Sequence, residues 1–388
     1  MTNSDRYIVE LSRAAIFDDI PAEPYDDIDW TYIYDKSDEQ NMLSLIFTAV
    51  NKLPEDKRPE EELYNKWRKR SFRKIAFAGK QFNEFRSMSK KIFDENIKIV
   101  GLKGIHIRSF YPTPEIRTMA DYDILAKEND LERIEEIFNE NGYEVKKDIY
   151  GIVAGKENSY WEIFTQLKEE FATDSEVYTD MIYDNSQVCG SMYIPEPTLF
   201  LAHIIIHTGK HYIEKGAGLR NLCDIALYLK KNEDNIDFEK LEKLCREQNF
   251  YNIYTYIMCA VGKYYGVESA RAKEEKYDSE KFIEYTLSNG VFGKMDNVLV
   301  HQMAKPEDDK ISGKRKLFFP SAKTLDYRYT YLKKYPFLLP IAWIHRFFSG
   351  VFCRGFSVFS MVRDLKEAEK FSDERLKQLD ELGIKEKH

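Results

Sequence analysis

The apolar residues change period at Ile97, and that change decides what the chain can fold into. Before it the spacing is helical. Met42, Leu45, Ile46, Ala49, Val50 and Leu53 recur at one-turn intervals until Pro54, behind Ser37 and Gln40 in the S-x-x-Q arrangement of a capping box. From about Glu60 a second helix is expected, with Leu63, Trp67, Ile75, Phe82, Phe85, Ile92 and Phe93 on its apolar side. Lys66, Arg68, Lys69, Arg70, Arg73 and Lys74 crowd its start; a charge run of this kind usually faces solvent, with phosphate binding as the alternative. At Ile97-Lys98-Ile99-Val100-Gly101-Leu102 β-branched residues take over, and Lys103-Gly104 reads as the turn that ends a strand.

Both periods then alternate. A short helical segment from Ile105 and the turn-like Tyr111-Pro112-Thr113-Pro114 lead to a strand through Met119 to Leu125. Leu131, Ile134, Ile137 and Phe138 make one helix face, closed by Asn141-Gly142, and strands are expected over Tyr143 to Val145, Gly151 to Ala154 and Tyr160 to Leu167. After Pro195 the pattern is helical again: Leu199 to Tyr212, Leu219 to Lys230, Phe238 to Gln248 and Tyr251 to Tyr265. The polar stretch from Lys305 to Lys316 reads as a connection, followed by a last helical segment and a charged tail. The class is α+β, a small mixed sheet with flanking helices. It divides into an N-terminal helical segment over 1–95, an α/β core over 96–192, a helical domain over 193–304, and a loop with C-terminal helices over 305–388. A chain of 388 residues exceeds what one hydrophobic core usually spans, so such a division is expected.

One pair of residues stands out chemically. Asp121 and Asp123 are separated by Tyr122, so on a strand both carboxylates project from one face and can share a cation. Phosphoryl and nucleotidyl transfer need this, because Mg²⁺ takes hard oxygen ligands and bridges carboxylates to triphosphate oxygens. The motif alone is common on solvated strands; its surroundings give it weight. Leu102-Lys103-Gly104 ends a strand before a helix start, where backbone N–H groups can approach a phosphate. Glu162 lies in a later strand, and the alternation of Trp161 and Ile163 places it opposite the core.

His203 and His207 stand four apart on one helix without the glutamate of an HExxH zinc site, so zinc hydrolysis is not expected. His207, Lys210 and His211 read either as cleft residues touching substrate or as inter-helix packing. Arg220 and Asp224, also four apart, read as an ion pair.

The net charge of −8 and pI near 5.6 argue against duplex DNA as a partner; the residues do not identify the acceptor, for which a small molecule is favoured over protein or RNA. Five cysteines, odd in number and without CxxC, fit reduced thiols and a cytoplasmic location. The start lacks the basic, apolar pattern of a secretory signal, and no stretch offers the roughly 20 uninterrupted apolar residues of a membrane span.

This layout resembles the DNA polymerase beta-like nucleotidyltransferase superfamily, and within it the bacterial branch known as uncharacterised nucleotidyltransferases. The residues that carry the resemblance are Leu102-Lys103-Gly104, Tyr111-Pro112, Arg117, Asp121-Tyr122-Asp123-Ile124-Leu125, Gly142-Tyr143 and Trp161-Glu162-Ile163. Farther on, His207, Lys210-His211, Gly218-Leu219-Arg220 and Asp224 fit it, as do Phe319-Pro320-Ser321, Pro340, Trp343 and His345-Arg346, so it runs from about Leu43 onward. The resemblance implies that Asp121 and Asp123 hold Mg²⁺ or Mn²⁺, that Glu162 is the third acidic residue, and that Lys103 and Gly104 belong to the cradle of a nucleoside triphosphate such as ATP. It also implies that Arg117 meets a phosphate, with His207, Lys210 and His211 near the substrate. Two positions depart from the pattern: Ile105 follows Gly104 where Gly or Ser is common, and Phe164 stands where His is frequent. They keep open an alternative, a nucleotide-sensing or partner-binding protein on the same fold with weakened catalysis.

Overall fold

The computed structural model describes residues 1–148, 150–157, 159–167, 175–214, 216–270, 278–289 and 335–343. The chain divides into two compact units, one of Met1–Tyr212 with Ala217–Phe292 and the other of Ile213–Gly216 with Gly293–His388. In the second unit the described residues include a small apolar cluster in which Leu338, Leu339 and Trp343 pack on Ala342. The rest of the C-terminal reading, including the connection over 305–316 and the motifs at Phe319 and His345, lies outside the described residues.

The first unit opens with helices α1 (Asn3–Phe17), α2 (Trp30–Glu39), α3 (Leu43–Val50) and α4 (Glu61–Asp94). The capping box expected at Ser37 is absent. Ser37 lies inside α2 and its hydroxyl donates to the Ile33 carbonyl, while the true cap of α2 is Asp29, whose carboxylate accepts from the backbone of Thr31 and Tyr32. Gln40 works at longer range: its Oε1 accepts from the Leu219 backbone and its Nε2 donates to the carbonyls of Thr286 and Leu287. With α1 packed on the later helices α9 (Leu219–Asn232) and α11 (Tyr251–Tyr265), helices from both sides of the sheet segment share one core.

Helix α4 has 34 residues, a rod of roughly 50 Å at 1.5 Å per residue. Its first half meets α3, where the Trp67 indole donates to the Leu43 carbonyl at 2.9 Å. In its basic run, Arg70 and Lys74 pair with Asp38 and the Lys66 ammonium sits over the Tyr34 ring. Its second half lies on the sheet.

That sheet has seven strands in the order β3-β4-β5-β2-β1-β7-β6. They are β1 (Val100–Gly101), β2 (Tyr122–Leu125), β3 (Glu144–Asp148), β4 (Gly151–Lys156), β5 (Ser159–Phe164), β6 (Ser186–Cys189) and β7 (Met192–Pro195). It is mixed, as expected: β2 runs parallel to β5 and β1 to β7, and the other pairs are antiparallel. Period-two alternation divides its faces. Tyr122, Ile124, Ile152, Ala154, Trp161 and Ile163 point into an apolar cluster with Phe85, Met88 and Ile92 of α4 and with Ile134, Ile137 and Phe138 of α6 (Leu131–Glu140). Phe85 lies 4.8 Å from the Trp161 ring and 4.9 Å from that of Tyr122. Each such large side chain contributes about 1.5–3 kcal/mol by leaving water, so the register of β2 and β5 cannot slip by one residue. The opposite face carries Asp123 and Glu162. In sequence, helix α7 (Ser175–Asp184) lies between β5 and β6, α8 (Pro197–Glu214) follows β7, and α10 (Phe238–Glu247) and α12 (Ser279–Asn289) complete the described helices of this unit.

Candidate active site

The acidic face is built by pairing. In the parallel register of β2 and β5, Asp123 stands beside Glu162 and Tyr122 beside Trp161. Burying the two aromatics at 3% and 0% exposure turns both carboxylates to the other side. Asp121 immediately precedes β2, half-buried, and adds a third carboxyl. The three are close enough to oppose one another's ionisation. Burial, then Asp123, hold the Asp121 carboxyl above the usual range, with Lys103, Arg220 and Arg117 pulling it back. Burial, then Asp123 and Asp121, push Glu162 up to about 7.

Lys103 is the cation nearest these acids by direct contact. Leu102 leaves β1 with its N–H on the Asp123 carbonyl at 3.0 Å, which pins the chain against β2 one residue before the turn. Lys103 then takes φ 51°, ψ −125°, a region that side-chain-bearing residues avoid at a cost of about 1–3 kcal/mol. Its ammonium donates to Asp123 Oδ1 at 2.8 Å. The expected phosphate ligand thus holds a metal-ligand candidate.

Gly104 opens α5 (Gly104–Ile107), a single turn. Its lack of a side chain serves a neighbour: a Cβ there would stand 2.2 Å from Arg117 Nη1. Arg117 itself is buried, and two of its three nitrogens are committed to Asp224, Nε to Oδ1 at 2.9 Å and Nη2 to Oδ2 at 2.6 Å. Tyr111 donates its hydroxyl to the same carboxylate at 2.7 Å. Burial works against the Arg117 charge, and Asp224 outweighs it, so its pKa is raised. Arg117 is thus held by a carboxylate partner. The ion pair expected between Arg220 and Asp224 is replaced by this one. Arg220, half-buried, donates from Nη1 to the Thr118 carbonyl at 3.0 Å, three residues before Asp121. Burial and the like charge of Arg117 push it down to about 10, and Asp121 is among the acids that support its charge. Spacing singled out Arg220 but not its relation to Asp121, which spans about a hundred positions.

His207, Lys210 and His211 are all half-buried on α8. His207 and His211 meet Nε2 to Nε2 at 2.7 Å with rings nearly perpendicular, and His203 stacks 6.2 Å behind His207 and beside Tyr178 of α7. The histidines are drawn together along one helix face.

The donor set suits a hard divalent cation. Asp121, Asp123 and Glu162 supply only carboxylate oxygens, their mutual repulsion is relieved by positive charge, and Mg²⁺ commonly takes one or two carboxylates and completes its shell with waters and substrate phosphates. Among the described residues, no three acidic, histidine or cysteine side chains stand together closely enough to hold a metal as they are. Lys103 stands on one of these carboxylates. Among the described residues no helix is long and apolar enough to cross a membrane.

No curated protein matches the chain. Among solved structures, that of ANT(2")-Ia in complex with adenylyl-2"-tobramycin is similar at 13% identity with a TM-score of 0.31, covering 46% of this chain and 94% of that one, a likeness too slight to argue from. The sequence matches the family described as uncharacterised nucleotidyltransferase over residues 26–266, well over half its length and spanning the acidic face, Lys103, Arg117 and Arg220. The chain belongs to the uncharacterised nucleotidyltransferase family.

Proposed function

We propose that this chain moves a nucleoside monophosphate from a nucleoside triphosphate to a hydroxyl, or a similar nucleophile, of a small-molecule acceptor. The supporting observation is the pairing of Asp123 with Glu162 across β2 and β5, with Asp121 and Lys103 at the same place. Asp121 and Asp123 are the residues that would hold Mg²⁺ or Mn²⁺, with Glu162 as third acid. When bound, the cation supplies charge neutralisation on the phosphates and the leaving group. The acceptor oxygen attacks the α-phosphorus, the bond from that phosphorus to the α–β bridging oxygen breaks, and pyrophosphate departs. Glu162, beside Asp123 on the same face, takes the acceptor proton. Lys103 and the backbone at Gly104 border the triphosphate. Arg117, clamped by Asp224, fixes the segment that delivers Asp121. The overall charge of −8 disfavours a polyanionic acceptor such as duplex DNA.

The test is incubation with each labelled nucleoside triphosphate, Mg²⁺ or Mn²⁺ and a small-molecule extract, comparing the wild type with Asp121→Asn/Asp123→Asn. Label transfer and pyrophosphate release present in the first and lost in the second support the reading; equal release in both sinks it.

A further inference from the structure

Lys103 is a lysine where glycine would fit. Its backbone, at φ 51° and ψ −125°, occupies a conformation that glycine adopts freely and that other residues hold only under compulsion. The chain is locked on both sides of it, by the Leu102 N–H on the Asp123 carbonyl before and by the Gly104 turn against Arg117 after. A strained lysine in a locked turn has one conspicuous consequence, the ammonium on Asp123 Oδ1 at 2.8 Å with only 20% of the Lys103 side chain exposed. The turn is tied to β2 through Leu102, so rotation of the Lys103 side chain is the shortest way for the ammonium to leave Asp123.

We propose that Lys103 is a resident counter-ion that makes the acidic face select a metal–triphosphate complex over the free divalent cation. The proposal rests on the reading of Asp121 and Asp123 as metal-holding residues. A free dication reaching Asp123 must displace the ammonium or share its carboxylate with it, and either way two cationic centres are left side by side in a half-buried place. A dication arriving with a polyphosphate brings anionic oxygens to which the ammonium can transfer, so its charge stays compensated throughout. Lys103 thereby acts as a specificity-determining residue, coupling metal affinity to nucleotide affinity, and the coupling is reciprocal.

The experiment measures Mn²⁺ binding to the whole chain from the electron-spin signal of the free ion, with and without a non-hydrolysable α,β-methylene nucleoside triphosphate. It compares the wild type, Lys103→Met, Lys103→Gly, Lys103→Arg and Asp123→Asn. For Lys103→Met the expectation is free-Mn²⁺ affinity about tenfold or more above wild type, as removal of a neighbouring like charge requires. Its gain in Mn²⁺ affinity from the nucleotide analogue should be smaller than that of the wild type, whereas Lys103→Arg should behave as wild type. Lys103→Gly removes the ammonium while fitting the backbone, so agreement between the Met and Gly variants excludes misfolding as the cause. Free Mn²⁺ bound no more tightly by both charge-less variants than by wild type overturns the proposal while leaving the metal site standing. Equal Mn²⁺ binding by Asp123→Asn and wild type is a different failure, that of the metal reading itself.

Discussion

Asp123 and Glu162 are register partners in the parallel pairing of β2 with β5, their side chains borne by neighbouring strands about 4.8 Å apart across the sheet. Like charges so placed are ordinarily avoided. Here they persist because Tyr122 and Trp161, their sequence neighbours, fill the core on the other side, and neither strand can turn over without exposing an aromatic ring.

The first prediction concerns which acid does what. Asp123→Asn should abolish transfer and free Lys103 from its partner, whereas Glu162→Gln should lower kcat by about 100-fold or more with little change in KM, the loss typical of a missing general base. Single-turnover measurements with labelled nucleotide separate the two. A Glu162→Gln variant with wild-type kcat would remove Glu162 from the chemistry.

The raised Glu162 pKa fixes a sign for stability. A carboxyl that titrates at 4.5 when unfolded and at about 7 when folded binds more protons in the folded state between those values. Metal-free stability contributed there is full below 4.5, lost as pH rises toward 7, and absent above, a difference of order 3 kcal/mol at most. Glu162→Gln should therefore melt higher than wild type at pH 8 and equally at pH 4, as read by thermal unfolding in chelator. A melting difference that grows toward acid contradicts the assignment.

What the sequence made legible was local and periodic. The alternation in Asp121-Tyr122-Asp123 and in Trp161-Glu162-Ile163 separates core from acidic face without any knowledge of partners. Long helical periods likewise placed α4, α9 and α11 within a few residues. Pairings at a distance were not legible. Arg220 and Asp224 have the spacing of a helical ion pair, yet Asp224 takes Arg117 from 107 positions away, because a buried bidentate contact outcompetes an exposed one. Ser37 and Gln40 match a capping box, but Gln40 is spent on three backbone groups of α9 and α12. The β6–β7 hairpin carried a signal in Gly190-Ser191, between Cys189 and Met192, but β6 is too exposed to alternate and β7 buries two consecutive residues.

Gly104, Arg117 and Asp224 form one unit, and their substitutions should not add. Asp224→Ala leaves a buried guanidinium without its carboxylate and should cost about 3–5 kcal/mol in urea unfolding. Gly104→Ala drives a methyl into Arg117 Nη1 and should cost about 1–3 kcal/mol. If the methyl acts by breaking the pair, the double variant will cost less than the two together. Full additivity would mean that Gly104 is needed for another reason.

Arg220 is the arginine with donors to spare at the site. Arg117 is occupied by Asp224, while Arg220 gives one Nη1 hydrogen bond to Thr118 and stands in the field of Asp121. A guanidinium pushed down to about 10 by burial and by a second arginine is stabilised by any anion that comes near it, and a phosphate oxygen meets that need better than water. Arg220→Lys should therefore raise the nucleotide KM about tenfold, because the fork geometry is lost while the charge remains, and Arg220→Met should raise it further. A structural role through Thr118 would instead lower the melting temperature equally in both and leave KM alone, so nucleotide KM and melting temperature measured on the two variants decide between binding and scaffolding.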